Sequence, residues 1–258
     1  MNTWHIATAV FLAYLVCVAG LLRGLAAIRR LKVAGGAILG AALLAVSRAL
    51  PPDSLANVLI LPGTLLFLGY WTSGLLFVRP MPRAERVLAT IDTALGIDAI
   101  AARIPRPIAE FLEFAYAAVY AIIPIALFFA LRQGTDVIRF WTVVTITDYI
   151  CFGVLPWIQT RPPRTVCAAE PWRSVCRTIN LRIVGATSIQ VNTFPSGHAA
   201  EALVAALLVS DGPIALQVWM FFNAAAISAG AVFGRYHYAA DAVAGWAVAL
   251  LVYCSFRL

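Results

Sequence analysis

The sequence predicts an all-α, polytopic transmembrane helical bundle with about eight membrane-spanning segments and one amphipathic surface helix. Composition is the first reason: 62% of the residues are hydrophobic, only 12% are charged, and the mean hydropathy is +0.87, far from the balance of a soluble domain. The second is recurrence, because runs approaching the roughly 20 apolar residues that cross a hydrocarbon core return along the whole chain. The third is the placement of Trp4, Trp71, Trp141, Trp157, Trp219 and Trp246 within or at the ends of those runs, where the terminal ones suit an interfacial aromatic belt. Together they read as a single integral membrane domain over residues 1–258.

The first run, 4–28, continues through Ala27 without a small-residue cleavage site, so it reads as a retained membrane helix rather than a removable signal. Runs follow at 32–50, 56–78, 108–131, 138–157, 198–211 with its flanks, 213–233 and 237–256. Two segments break the series. In 79–107, Val87, Leu88, Ile91, Leu95, Ile97 and Ile100 recur at helical spacing among charges, the pattern of a helix lying on a membrane surface. Residues 159–193 form a long polar connection bearing Arg161, Arg164, Arg173, Arg177 and Arg182, and loops of that length are uncommon without a role. No repeat, heptad or glycine-rich nucleotide fingerprint interrupts this plan, so no cofactor is expected.

The formal charge of +7 comes from 19 basic residues, of which only Lys32 is lysine. Most of these arginines have a topological reading, as the positive loops of a membrane protein. Some can instead grip an anion, because the planar guanidinium fork matches phosphate oxygens. Nucleic acid is not an expected partner, since nothing forms a soluble basic domain with a reading helix or stacking sheet.

The chain has three histidines. His5 lies near the start and carries no assignment. His198 stands in "NTFPSGHAAEA", a polar turn that opens an apolar run, and His237 stands in "GRYHYAADAVAG". Two apolar runs joined by a tight turn separate them, so the chain crosses and returns, and both belong at the same membrane surface. Asp241 follows His237 by four residues, which on a helix is the same face, so its carboxylate can orient the imidazole. A packing role suffices for a lone membrane histidine. It does not readily explain two histidines, an orienting carboxylate and an arginine-rich loop together. Ser196 and Gly197 precede His198 at a helix N-terminus, where free backbone N–H groups favour phosphate.

The strings "PSGH", Pro195 to His198, and "RYHYAADAVAG", Arg235 to Gly245, resemble motifs of the type 2 phosphatidic acid phosphatase superfamily of membrane lipid phosphatases and phosphotransferases. The resemblance covers the C-terminal half, with residues 149–245 carrying the motifs. Two family positions differ here: Val154 stands where the pattern K-x6-R-P has lysine, and Gly230 and Ala231 where S-R precedes x5-H-x3-D. The "RYHY" form with "PPR" in the preceding loop resembles the branch that includes inositol phosphorylceramide synthase.

The resemblance implies a lipid phosphate substrate, a phosphohistidine on His237 oriented by Asp241, and acid–base work by His198, without a metal. Arg164 and Arg235, with Arg161 behind them, are the candidates for holding the phosphoryl oxygens. Hydrolysis and transfer to an alcohol share the first half of that chemistry. Two readings from other classes remain: a two-histidine, one-carboxylate metal site, and a transporter relaying protons through the same groups. Glu110, Glu113 and Tyr116 are expected to form interhelical hydrogen bonds rather than to bind a headgroup, and Asp148 and Tyr149 stand open between those two roles. Cys17, Cys151 and Cys254 read as packing residues, while Cys167 and Cys176 share the polar loop and can pair if it faces an oxidising compartment.

Counting loop charge with eight spans puts the histidines on the face of Arg29, Arg30, Lys32 and the 79–107 arginines, which points to the cytoplasm. The resemblance points to the periplasm or exterior of a cell membrane, and that is the expectation adopted. Oligomeric state is not legible.

Overall fold

The computed structural model describes residues 2–166 and 170–256, and among these residues the ordered elements are helical. In chain order they are α1 (Thr3–Leu21), α2 (Ala27–Ala49), a π-helical turn (Ala56–Ile60) running into α3 (Leu61–Gly74), α4 (Pro82–Ala94), α5 (Ile97–Ala101) and α6 (Arg106–Ala117). Then come α7 (Val119–Arg132), α8 (Val137–Val154), α9 (Pro163–Val166), α10 (Val175–Thr187), α11 (Gly197–Leu208), α12 (Ile214–Phe233) and α13 (Ala239–Ser255). Several starts have a local cause. Proline occupies the first turn of α4 and α6, where its missing N–H costs nothing. Asp136 caps α8 by accepting from the N–H groups of Ile138 and Arg139 at 3.0 and 3.4 Å.

Five helices are long and apolar enough to cross a membrane: α1, α2, the continuous Ala56–Gly74, α8 and α12. The pair α6 and α7 meets the same length and apolarity test only when taken together, and it bends by 62° at Ala118, the geometry of a broken span or a re-entrant loop. The expected span 108–131 is thus a broken helix, a feature that hydropathy cannot show because it carries no direction. The first expected span also ends early, at Leu21, since Gly24 turns the chain at φ +84° before α2 begins.

The helices α11 and α13, at 12 and 17 residues, fall short of the length criterion, so eight spans are not reached on length and apolarity. α11 extends only about 18 Å at 1.5 Å per residue. Its surroundings explain why it needs no more. It packs against α7, α8, α12 and α13, and Ala199, Ala200, Ala202, Val204, Ala205 and Ala206 are all buried, so protein rather than lipid surrounds it. Small side chains allow this close approach.

Gly245 on α13 marks the tightest point: a Cβ there would overlap the Ser196 carbonyl oxygen and sit 3.3 Å from the Ala200 nitrogen. Both obstacles are backbone. Gly245→Ala is therefore expected to destabilise the protein by roughly 1–3 kcal/mol. Gly35→Ala, where a Cβ meets nothing within 4 Å, is expected to leave the detergent melting temperature unchanged or slightly raised. Equal melting temperatures for the two variants would show that α13 can back away from α11.

The N-terminal helices are tied to this centre by polar and aromatic contacts. His5 Nε2 meets Ser47 Oγ at 2.8 Å and Ser47 donates to Asn57 at 2.6 Å, joining α1, α2 and the π turn. Phe11 stacks on Tyr149 at 4.2 Å, joining α1 to α8. Among the tryptophans, Trp71, Trp157 and Trp219 are exposed, as a belt requires. Trp4 and Trp141 are instead core residues, and Trp141 donates to the Val58 carbonyl at 2.7 Å.

The amphipathic segment forms two helices, α4 and α5, separated at Gly96 with φ +66°. Val87, Ile91, Leu95 and Ile100 are exposed, which fits seating on a bilayer, whereas Leu88 and Ile97 point into the protein. The connection 159–193 is more ordered than its composition suggests. It contains α9 and α10, and an antiparallel bridge between Thr160 and Asn192 joins its two ends. The expected pairing of Cys167 with Cys176 lies outside the described residues, because Cys167 does.

Candidate active site

The N-terminus of α11 meets the loop between α12 and α13, and the polar turn of the sequence is built at that junction. Ser196 caps α11, accepting from the Ala199 N–H at 3.3 Å, while its own N–H donates to the Asp241 carbonyl at 2.9 Å. Gly197 is tightly packed, since a Cβ would stand 3.0 Å from the ring of Phe152 and push it aside. His198 follows, stacked on Tyr116 with centroids 5.3 Å apart and met edge-on by Tyr120 at 6.1 Å.

After α12 the chain reverses sharply. Arg235 adopts φ +64°, a left-handed conformation uncommon for a residue with a Cβ, and the N–H groups of Tyr236 and His237 both donate to the Ala231 carbonyl at 2.9 Å. The turn presents His237 just before α13 begins, with its ring 5.7 Å from that of His198. His237 Nδ1 faces Asp241 Oδ2 at 3.4 Å, and the same oxygen accepts from the Tyr238 N–H at 2.9 Å. Asp241 is fully buried. The structure brings the trio together in space: the histidine rings meet, and the carboxylate lies behind one of them, with His237 in the turn that precedes α13.

Arg164 completes the group. Its N–H donates to the Arg235 carbonyl at 2.9 Å, and its guanidinium lies 5.6 Å above the Tyr236 ring. Together with Gly197, His198 and His237 it lines a cavity of about 440 Å³. The remaining walls include Tyr70, Tyr120, Trp141 and Phe152 from the membrane helices. Burial lowers the Arg164 guanidinium from its ordinary value. Burial, and then the Arg164 charge, lower the loop histidine His237 to about 3, so its imidazole is neutral at neutral pH.

The structure separates the other two arginines from this set. Arg235 does not line the cavity. Its buried guanidinium turns to Asp92, with Nη1 3.2 Å from Oδ2, and to Asp98. Arg161 is likewise outside, gripped in a fork by Glu85 through Nε at 3.0 Å and Nη2 at 2.9 Å. Both arginines expected to hold phosphate are instead found paired with a carboxylate of the surface helix, Glu85 or Asp92, outside the cavity lining. Hydrogen bonding from Arg161 holds the Glu85 carboxyl below its usual range. Burial pushes the Asp92 carboxyl up, against the opposing pull of the Ala239 N–H and of Arg235.

Glu85 and Asp92 are thus positioning residues absent from the sequence reading. Asp92 is placed most tellingly, since its second oxygen accepts from the Ala239 N–H at 2.9 Å and so holds the histidine turn at both ends. A signal existed. Two carboxylates seven residues apart share one stripe of a helix, and on α4 that stripe is the buried one.

A second network fixes Tyr236. Its hydroxyl donates to Glu113 at 2.7 Å, and Glu113 also accepts from Arg177, Asn180 and Trp172 at 3.0, 2.8 and 2.9 Å. Arg177 donates onward to the Gly234 carbonyl at 2.8 Å. Glu113 and Glu110 make interhelical hydrogen bonds as expected, the latter to Ser174, Val175 and Cys176 at the start of α10.

A family model described as the PAP2 superfamily matches residues 86–255. The match begins inside α4 and spans every group named in the site except Tyr70 and Glu85. No curated protein and no solved structure matches the chain.

Proposed function

Since the chain belongs to the PAP2 superfamily, we propose that it is a membrane lipid phosphatase acting on a phosphomonoester or pyrophosphate lipid through a phosphohistidine. Membership carries the coarse activity, a lipid phosphoesterase of the phosphatase or phosphotransferase type. The finer reading rests on one observation: His198, His237 and Arg164 line the same cavity, with Asp241 behind His237.

Asp241 faces Nδ1, so Nε2 of His237 is the nitrogen left to attack phosphorus. As the N–P bond forms, the P–O bond to the lipid breaks, and His198 gives its proton to the departing alkoxide. The imidazolium formed on His237 is stabilised by Asp241. In the second half, His198 takes a proton from water, the water oxygen attacks phosphorus, and the N–P bond breaks to release phosphate. Arg164 and the N–H groups at the start of α11, in the Ser196–Gly197 turn, hold the phosphoryl oxygens. Arg235 and Arg161, gripped by α4, shape the site instead of touching the phosphate.

The chemistry uses no metal. Inorganic phosphate release from a panel of lipid phosphates by detergent-purified protein should continue in excess EDTA. Abolition by EDTA, with recovery on adding a divalent cation, would favour the metal reading of the same trio. Substrate movement into vesicles without chemical change would favour the transporter. Transfer to an alcohol differs only in the second half, and an added acceptor that takes the phosphoryl group in place of water would reveal it. We place the protein in the cell membrane with this face toward the periplasm or exterior, as the motif resemblance implies.

A further inference from the structure

One wall of the cavity is not used by this mechanism. Asp148 of α8 and Glu201 of α11 both line it, and their carboxyls lie within hydrogen-bonding reach of each other. Asp148 is 1% exposed, and neither of its carboxyl oxygens accepts a hydrogen bond from an N–H or a hydroxyl of the described residues. Neither Asp148 nor Glu201 forms an ion pair with a basic side chain among the described residues. Among the described residues lining the cavity, Arg164 is the one with a permanent positive charge, and it serves the phosphate side. Buried acids in a membrane interior ordinarily face a cation or a set of donors. Here the space in front of them is open cavity.

The pair has a defined relation to the reacting groups. Glu201 follows Gly197 by four residues, placing it one helical turn, about 5.4 Å, deeper along α11. Asp148 Oδ1 lies 3.9 Å from where a Cβ on Gly197 would be. A substrate with its phosphate on Arg164 and the α11 N-terminus therefore meets these carboxyls with whatever it carries about one turn away. A second anionic group is repelled there. A group carrying both positive charge and N–H donors satisfies both the charge and the orphaned oxygens, and the aromatic walls, Tyr120, Trp141 and Phe152 among them, suit a cation as well.

Resting on the phosphatase reading for the phosphate end, we propose that Asp148 and Glu201 form a subsite for a primary ammonium group, so that the preferred substrate is a phosphoester bearing an amine close to its phosphate. The site is then dipolar: cationic where the phosphoryl group reacts and anionic one helical turn away.

Equilibrium binding of three soluble probes to the full-length detergent-solubilised protein tests this without turnover when made in the His237→Ala background: phosphoethanolamine, glycerol 3-phosphate and phosphocholine, each followed by calorimetry. Phosphoethanolamine should bind about tenfold more tightly than glycerol 3-phosphate. Phosphocholine, whose methyl groups cannot donate, should fall between them. Adding Asp148→Asn or Glu201→Gln, both close in shape, should bring the ratio of phosphoethanolamine to glycerol 3-phosphate affinity near one while changing the latter affinity less than about threefold. Equal affinities before that change, preference for the hydroxyl-bearing probe, absence of binding, or a ratio unchanged in both variants would each overturn the subsite. If one variant does not fold, the other and the unaltered ratio still decide. Phosphate release by the wild type reports separately on the phosphatase reading, so either conclusion can fail while the other stands.

Discussion

Replacing His237 with alanine is expected to abolish phosphate release, with a loss of at least about 10³-fold, because it removes the group proposed to form the covalent bond. Asp241→Asn is the informative companion. The amide keeps the size of the carboxylate but cannot stabilise the imidazolium and favours the wrong tautomer, so a drop of about 10²–10⁴-fold is expected with the fold intact. The check is phosphate release by equal amounts of each variant, together with acid-labile, alkali-stable label on the peptide containing His237 when the wild type is quenched during turnover of a labelled substrate. Activity retained in His237→Ala, or label on the peptide of His198 instead, would reverse the assigned roles. His237 is held to about 3 by burial and by Arg164, so in the free enzyme it stays neutral throughout the range of an ordinary assay. An acid limb of kcat/KM near neutrality would then belong to another group.

The second large effect is expected far from the chemistry in sequence. Asp92→Ala removes the acceptor of the Ala239 N–H and the buried partner of Arg235, a side chain only 3% exposed. Losing the buried partner leaves the Arg235 charge with the exposed Asp98 alone and removes a hydrogen bond from the turn, a cost of about 2–3 kcal/mol. The histidine turn lies between those two anchors, so phosphate release should fall at least about tenfold in whatever protein remains folded. Asp98→Ala is the control. Its side chain is 75% exposed and water can take its place beside Arg235, which keeps Asp92, so melting temperature and activity should fall much less than in Asp92→Ala. Asp92→Asn retains an acceptor for the Ala239 N–H and should fall between the two. Wild-type melting and turnover in Asp92→Ala would remove the clamp from the account.

How far the sequence carried these conclusions differs by residue. The all-helical membrane class followed from composition and apolar runs, since no other arrangement satisfies so many backbone groups in lipid. Length and apolarity support five spans rather than eight, because apolarity does not distinguish a neighbour of lipid from a neighbour of protein, and the short α11 is packed among α7, α8, α12 and α13. The convergence of His198, His237 and Asp241 was legible because it depends on short spacings and one return across the membrane. The arginines were a different problem. Arg161, Arg164 and Arg235 are chemically alike, and what divides them is whether a carboxylate 76 or 143 residues away arrives first. Glu113 was read correctly as a hydrogen-bonding residue, but its grip on Tyr236, 123 residues on, was hidden for the same reason.

The two faces of α4 answer to different constraints as the sequence drifts over generations. Outward positions such as Val87, Ile91 and Leu95 need only remain apolar, and many exchanges there are interchangeable. Positions 92 and 235 are expected to change together: losing the base strands a buried acid, and losing the acid leaves a buried guanidinium with the exposed Asp98 alone. Relatives in which the arginine is absent should therefore also lack the aspartate, and a swap from acid–base to a matched apolar pair is the route by which this joint could be rebuilt without passing through a broken intermediate of long duration.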